Sequence, residues 1–105
     1  MYIVIFEVEP KHSGMDDYLN IASQLKQELE QVEGFISIER FKSLNNPDKI
    51  LSLSTWESET AITVWRNQLS HKTAQKKGST VLFKDYRIRV ANVIRDYDFS
   101  SSPWI

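Results

Sequence analysis

The chain has 105 residues, 41% of them apolar, with thirteen Lys and Arg against fourteen Asp and Glu, a formal charge of −1 and no cysteine. This length fits one domain over residues 1–105; the charge balance gives no general attraction to polyanions, so nucleic acid is not an expected partner. Lack of cysteine excludes disulfide scaffolds, thiolate metal sites and cysteine nucleophiles.

The opening MYIVIFEVEP is β-branched and aromatic, apolar on both parities from Tyr2 to Val8, and reads as a strand covered on both faces that Pro10 ends. It lacks a basic lead, carries Glu7 and is too short to span a bilayer, so a cytoplasmic protein without a membrane partner is expected. Met15, Tyr18, Ala22, Leu25, Leu29 and Val32 then recur at spacings of three and four, the mark of an amphipathic helix. Ser13 is its expected cap, Asp16 and Asp17 suit the positive end of its dipole, and Gly34 is its expected stop. His12, beside Ser13 and Gly14, has no metal-binding spacing to His71.

GFISIERFKSL alternates, with Phe35, Ser37, Glu39 and Phe41 on one side and Ile36, Ile38, Arg40 and Lys42 on the other. Asn45 to Asp48 form a turn, and KILSLSTW returns as a hairpin strand, setting Leu51, Leu53 and Thr55 against Ile50, Ser52, Ser54 and Trp56. Ser58 caps a second helix with Ala61, Ile62, Trp65 and Leu69 on one stripe, closed by Gly78 or the turn after it. DYRIRVANVIRDYDF alternates for about twelve residues, beyond the usual strand of roughly five to six, which predicts pairing outside its own sheet.

The order βαββαβ is the ferredoxin-like α+β arrangement, an antiparallel sheet with two helices on one face. Apolar residues on both parities of the outer sequence strands predict a covered second face. A homodimer packing sheet to sheet as a dimeric α+β barrel is expected, with strand exchange near the last strand and Pro103 and Trp104 reaching the partner.

GFISIERF, ILSLSTWESETAITVWRNQLSHKTAQKKG and FKDYRIRVANVIRDY together resemble the antibiotic biosynthesis monooxygenase family of dimeric α+β barrels, over nearly the whole chain. The most specific parts are the tryptophan-ended strand before an acidic helix start, the W-x5-H-x3-Q run and the aspartate-tyrosine start of the last strand. What the resemblance implies is an oxygenase that uses no cofactor and no metal. Its substrates would be a phenolic, anthrone- or quinol-type aromatic and dioxygen, the substrate's own anion passing an electron to dioxygen while the protein stabilises that anion and excludes water. The alternative is a noncatalytic dimeric barrel that binds a small aromatic or serves in stress response.

By the same resemblance Trp65 matches the helix tryptophan of anthrone-oxidising and haem-degrading members, and His71 falls where anthrone-oxidising members place a tyrosine. A histidine, with an unperturbed pKa of about 6.5, suits proton exchange with a phenol near neutral pH. Gln75 and Arg87 are the candidates for orienting a substrate oxygen. Ala61 stands where anthrone-oxidising members carry asparagine, Phe6 and Glu7 are the first-strand candidates where haem-degrading members need asparagine, and Gln75 replaces their histidine, which disfavours haem degradation.

Residue types alone also allow blander roles. Trp65 fits a core stripe, Asn67, His71 and Gln75 fit a polar ridge on a regular helix, and Arg87, Arg89 and Arg95 fit ion pairs with Glu7 or Glu39. Six residues turn a regular helix by about 120° from Trp65 to His71, so a shared pocket calls for a helix break near Ser70.

Overall fold

The computed structural model describes residues 1–11, 14–76 and 83–105, with side chains described to Leu69 in the second helix and again from Phe83. The elements run β1 (Tyr2–Pro10), α1 (Met15–Leu29), β2 (Phe35–Lys42), β3 (Ile50–Trp56), α2 (Glu59–Lys76) and β4 (Phe83–Asn92). All pairings are antiparallel, in the order β2-β3-β1-β4. This is the expected ferredoxin-like α+β fold.

Strand alternation sorts the side chains. Val8, Ile50, Ser52, Ser54 and Trp56 are buried on the helix side, and Ile3, Ile5, Glu7, Leu51 and Leu53 take the other, partly exposed side. Two apolar clusters fill the helix–sheet layer. One holds Leu29, Val32, Trp56 and Ala61 with Trp65 and Ile62 against it; the other holds Val8, Tyr18 and Ile50 with Phe6, Met15 and Phe83.

Several boundaries differ from the sequence reading. The helix cap is Gly14, with no side-chain bond, and Ser13 and His12 lie outside the described residues, as does Gly78. Helix α1 ends at Leu29 with Glu30 as its cap. Gly34, at φ +92°, instead turns the chain into β2. A bulge between Phe35 and Ser37 moves Phe35 to the helix side, where it meets Trp56 edge-on with ring centroids 5.3 Å apart. Strand β4 stops at Asn92, because its ladder on β1 runs out at Tyr2, and Arg95 therefore lies beyond the strand rather than in line with Arg87 and Arg89. Ser58 behaves as expected, its Oγ accepting the Ala61 N–H at 3.2 Å.

Gly34 joins three elements. Its carbonyl accepts the Glu57 N–H at 2.7 Å, and a Cβ at position 34 would stand 2.8 Å from the Ala61 Cβ. Only glycine fits both the positive φ and the contact. Gly34→Ala is expected to destabilise the fold by about 1–3 kcal/mol, read as a lowered urea midpoint at unchanged slope.

Candidate functional site

Two rows cross the helix side of the sheet. Arg40, Ser52, Phe6 and Ile88 make one; Ile38, Ser54, Val4 and Val90 make the next. Serines at the centre of both rows keep the floor under the helices small and polar between the two apolar clusters. Ser54 Oγ accepts the Trp56 Nε1–H at 2.8 Å, which satisfies the indole where it is 2% exposed. Toward β4 the rows open: Tyr86, Ile88 and Val90 share the helix side yet stay about half exposed. Tyr86 packs 6.0 Å from both Phe6 and Phe83, extending an aromatic wall that Tyr18 joins from α1.

Trp65 stands half-buried on α2 and packs against the Leu29, Val32, Trp56 and Ala61 cluster, so it borders this layer. The backbone of α2 runs unbroken from Glu59 to Lys76, without the break near Ser70 that a shared Trp65–His71 face called for. On that continuous helix the His71 and Trp65 positions are about 120° apart. The side chains of His71 and Gln75 lie outside the described residues.

Arg87 is on the other side of the sheet. It is paired in register with Glu7, so it does not meet Trp65, which packs on the helix side. Ala61 is 4% exposed in an apolar cluster, where an amide would be buried among hydrocarbon. Of the first-strand candidates Phe6 faces the helices and Glu7 faces away.

A helix-side group that the sequence reading did not single out is Arg40. Its neighbour from α1 is Tyr18: burial pushes the Tyr18 phenol above its ordinary value, against the pull of the Arg40 guanidinium. The available signal was parity: Arg40 alternates with Ile38 on the side that β3 buries.

The open side carries its own polar centre. Glu7 accepts Lys49 Nζ at 3.2 Å and Arg89 Nη1 at 3.3 Å, beside a depression of about 280 Å³ lined by Glu7, Phe41, Lys42, Ser43, Lys49 and Leu51. Among the described residues no cluster of His, Asp and Glu has metal-site geometry, and no helix is long and apolar enough to cross a membrane.

A family model described as antibiotic biosynthesis monooxygenase matches residues 1–77. A Pyricularia oryzae protein named jasmonate monooxygenase ABM is 45% identical over 93 residues, covering 89% of this chain but only 43% of that protein. The chain thus spans less than half of that relative. An uncharacterized Bacillus subtilis protein is 29% identical over 101 residues, covering 96% of this chain and 86% of its own length. A solved Mycobacterium tuberculosis structure superposes with a TM-score of 0.77 at 11% identity, covering 92% of this chain and 98% of that one, a likeness of fold.

The hydrogen bond from Lys49 is the main reason the Glu7 carboxyl lies below its ordinary value of 4.5; desolvation opposes it, and the charges of Lys49, Arg89 and Arg87 add to the lowering. A carboxyl lowered by folding stabilises the native state above its unfolded value, and that contribution is lost as pH falls through the folded value. Glu7→Gln is expected to lower the urea midpoint at about pH 6, with the difference from the parent vanishing below the depressed folded value, and to lose much of its effect in about 1 M salt.

Proposed function

This chain belongs to the antibiotic biosynthesis monooxygenase family, and on that premise we propose that it is a cofactor-independent monooxygenase acting on a phenolic, anthrone- or quinol-type aromatic. The observation that carries the reading is 45% identity, over 89% of this chain, to a protein named as a monooxygenase. The aromatic wall of Phe6, Phe83 and Tyr86, with Trp65 across the layer, supports a flat apolar ligand between helices and sheet.

An anthrone-type substrate balances the reaction without a further reductant. Its methylene becomes a carbonyl in a four-electron oxidation, and dioxygen delivers one atom to carbon and leaves the other as water. What the protein must supply is proton removal, a home for the resulting anion and exclusion of water. In this reading Trp65 is the wall, His71 exchanges the proton and Gln75 orients an oxygen. Because α2 is continuous, a substrate that touches both Trp65 and His71 spans the flank of the helix rather than a single stripe.

The name of the fungal relative favours a second reading, a small cyclopentanone carboxylate as substrate. Oxygen insertion into an unactivated C–H bond needs two electrons from outside, whereas the anthrone reaction does not, so dependence on added reductant separates the two. A noncatalytic barrel that binds a small aromatic is the reading left if neither class is turned over.

We also assign a second copy of the chain to the open side of the sheet, where Ile3, Ile5, Leu51 and Leu53 form a half-exposed apolar centre, edged by Phe41 and by the Glu7, Arg87 and Arg89 charges. Arg87 then belongs to the subunit interface, and the exposed Pro103–Trp104 tail is free to reach the partner. Leu53→Arg is expected to shift a dimer toward monomer in sedimentation velocity; an unchanged sedimentation coefficient would place the partner elsewhere or leave none.

Under air, anthrones, naphthols and quinols are expected to give oxygen uptake without added reductant. Trp65→Ala should raise KM about tenfold. His71→Ala should lower kcat roughly a hundredfold and flatten the acidic side of the pH–rate profile. Uptake that neither exceeds the His71→Ala level nor appears with jasmonate plus a reductant would leave the binding barrel.

A further inference from the structure

Arginines are the groups that recognise anionic oxygen with a planar, multiply donating fork, and this chain places four of its five away from the helix–sheet layer. Arg87 and Arg89 lie on the open side, Arg66 is exposed on α2 and Arg95 is exposed beyond β4. Arg40 alone is on the helix side, half-buried, opposite Ser52.

Its surroundings leave donor capacity unused. The Tyr18 hydroxyl lies within the influence of the guanidinium, the buried Nε has no hydrogen-bond partner, and among the described residues no carboxylate forms an ion pair with it. A half-buried guanidinium whose Nε is shut off from water and unpartnered leaves a donor unsatisfied, so such an arrangement is suited to an anion that arrives with a ligand. The row that starts at Arg40 is graded to match. It passes the small Ser52, reaches the Phe6 ring and opens at Ile88, which is 53% exposed at the edge strand. A charged oxygen at one end and an apolar body along the rest would satisfy every member of it.

We propose that Arg40 receives the anionic oxygen of the substrate, so that the ligand class is an apolar molecule bearing a phenolate, enolate or carboxylate oxygen. The inference rests on the reading of the helix–sheet layer as the substrate site. It assigns to Arg40 the part that sequence reasoning had offered to Arg87, and it makes Tyr18 a positioning residue that holds the guanidinium from α1. Among the described residues the charged or titratable groups facing the bound oxygen are then Arg40 from β2 and Tyr18 from α1, with the uncharged Ser52 hydroxyl from β3; His71, the proposed proton carrier, lies outside them.

Binding of 4-nitrophenol, whose absorbance reports its ionisation, tests this without turnover, so its result is independent of the oxygen-uptake assay. With the unmodified protein, bound nitrophenol is expected to ionise about one pH unit lower than free, a factor of about ten in the phenolate-to-phenol ratio, and to bind more tightly than the uncharged 4-nitroanisole. Arg40→Gln should abolish the shift. Tyr18→Phe, which removes the tie but not the charge, should keep it, and Arg40→Lys should keep at least part of it. If Arg40 were only a strut between β2 and α1, Tyr18→Phe and Arg40→Gln would act alike. That outcome overturns the proposal, as do absence of nitrophenol binding or of an ionisation shift in the unmodified protein, a full shift in Arg40→Gln, or no shift in Arg40→Lys where Arg40→Gln does not fold.

Discussion

Among the described residues both helices cover the same side of this sheet. Helix residues meet Trp56, Val8 and Ile50, and because side chains alternate along a strand, every residue of β1 to β4 is thereby committed to the layer beneath the helices or to the opposite surface. Gly34 sets one corner of that cover. Its lack of a side chain admits Ala61 to close contact, so α2 starts directly over the turn that leads into β2. A side chain there would push the first turn of α2 off the Trp56 cluster and with it the Trp65 position.

From this constraint follows the separation of the polar residues into two groups with different work. On the helix side, Arg40, Tyr18, Ser52 and Ser54 form a polar seam between two apolar clusters, where low dielectric strengthens any bond to a charged oxygen. On the open side, Glu7 gathers Lys49 and Arg89 within ion-pair distance at a partly exposed surface, where such pairs are worth little by themselves. Membership of the antibiotic biosynthesis monooxygenase family is compatible with both. The family match covers residues 1–77 and the fungal relative extends well beyond the aligned part, so the chemistry is argued from the site.

Much of the architecture was legible in residue spacing. Ile50 to Trp56 alternates without interruption, and the paired faces read from that pattern are the ones the sheet adopts. Ala61, Ile62, Trp65 and Leu69 mark the inward stripe of α2 because a four-residue step overshoots one turn by only about 40°. Phe35 misled for a physical reason: a bulge inserts a residue opposite Thr55 and reverses its parity, and nothing in a locally alternating string marks where a ladder slips.

Sequence by itself determined the element order, the α+β class, the family resemblance and the presence of Trp65 on a buried stripe, since all of these depend on local periodicity or on short motifs. Tertiary structure decided which arginine faces the helices. Arg40 and Arg87 both sit in alternating strands, and only the pairing β2-β3-β1-β4, with both helices on the Trp56 side, turns Arg40 inward and Arg87 outward. It also decided that α2 continues through Ser70, a matter of backbone hydrogen bonding that the string SHKTAQ leaves open. Which side of a strand is covered is a property of what packs on it, and that is recorded in no single stretch of the chain.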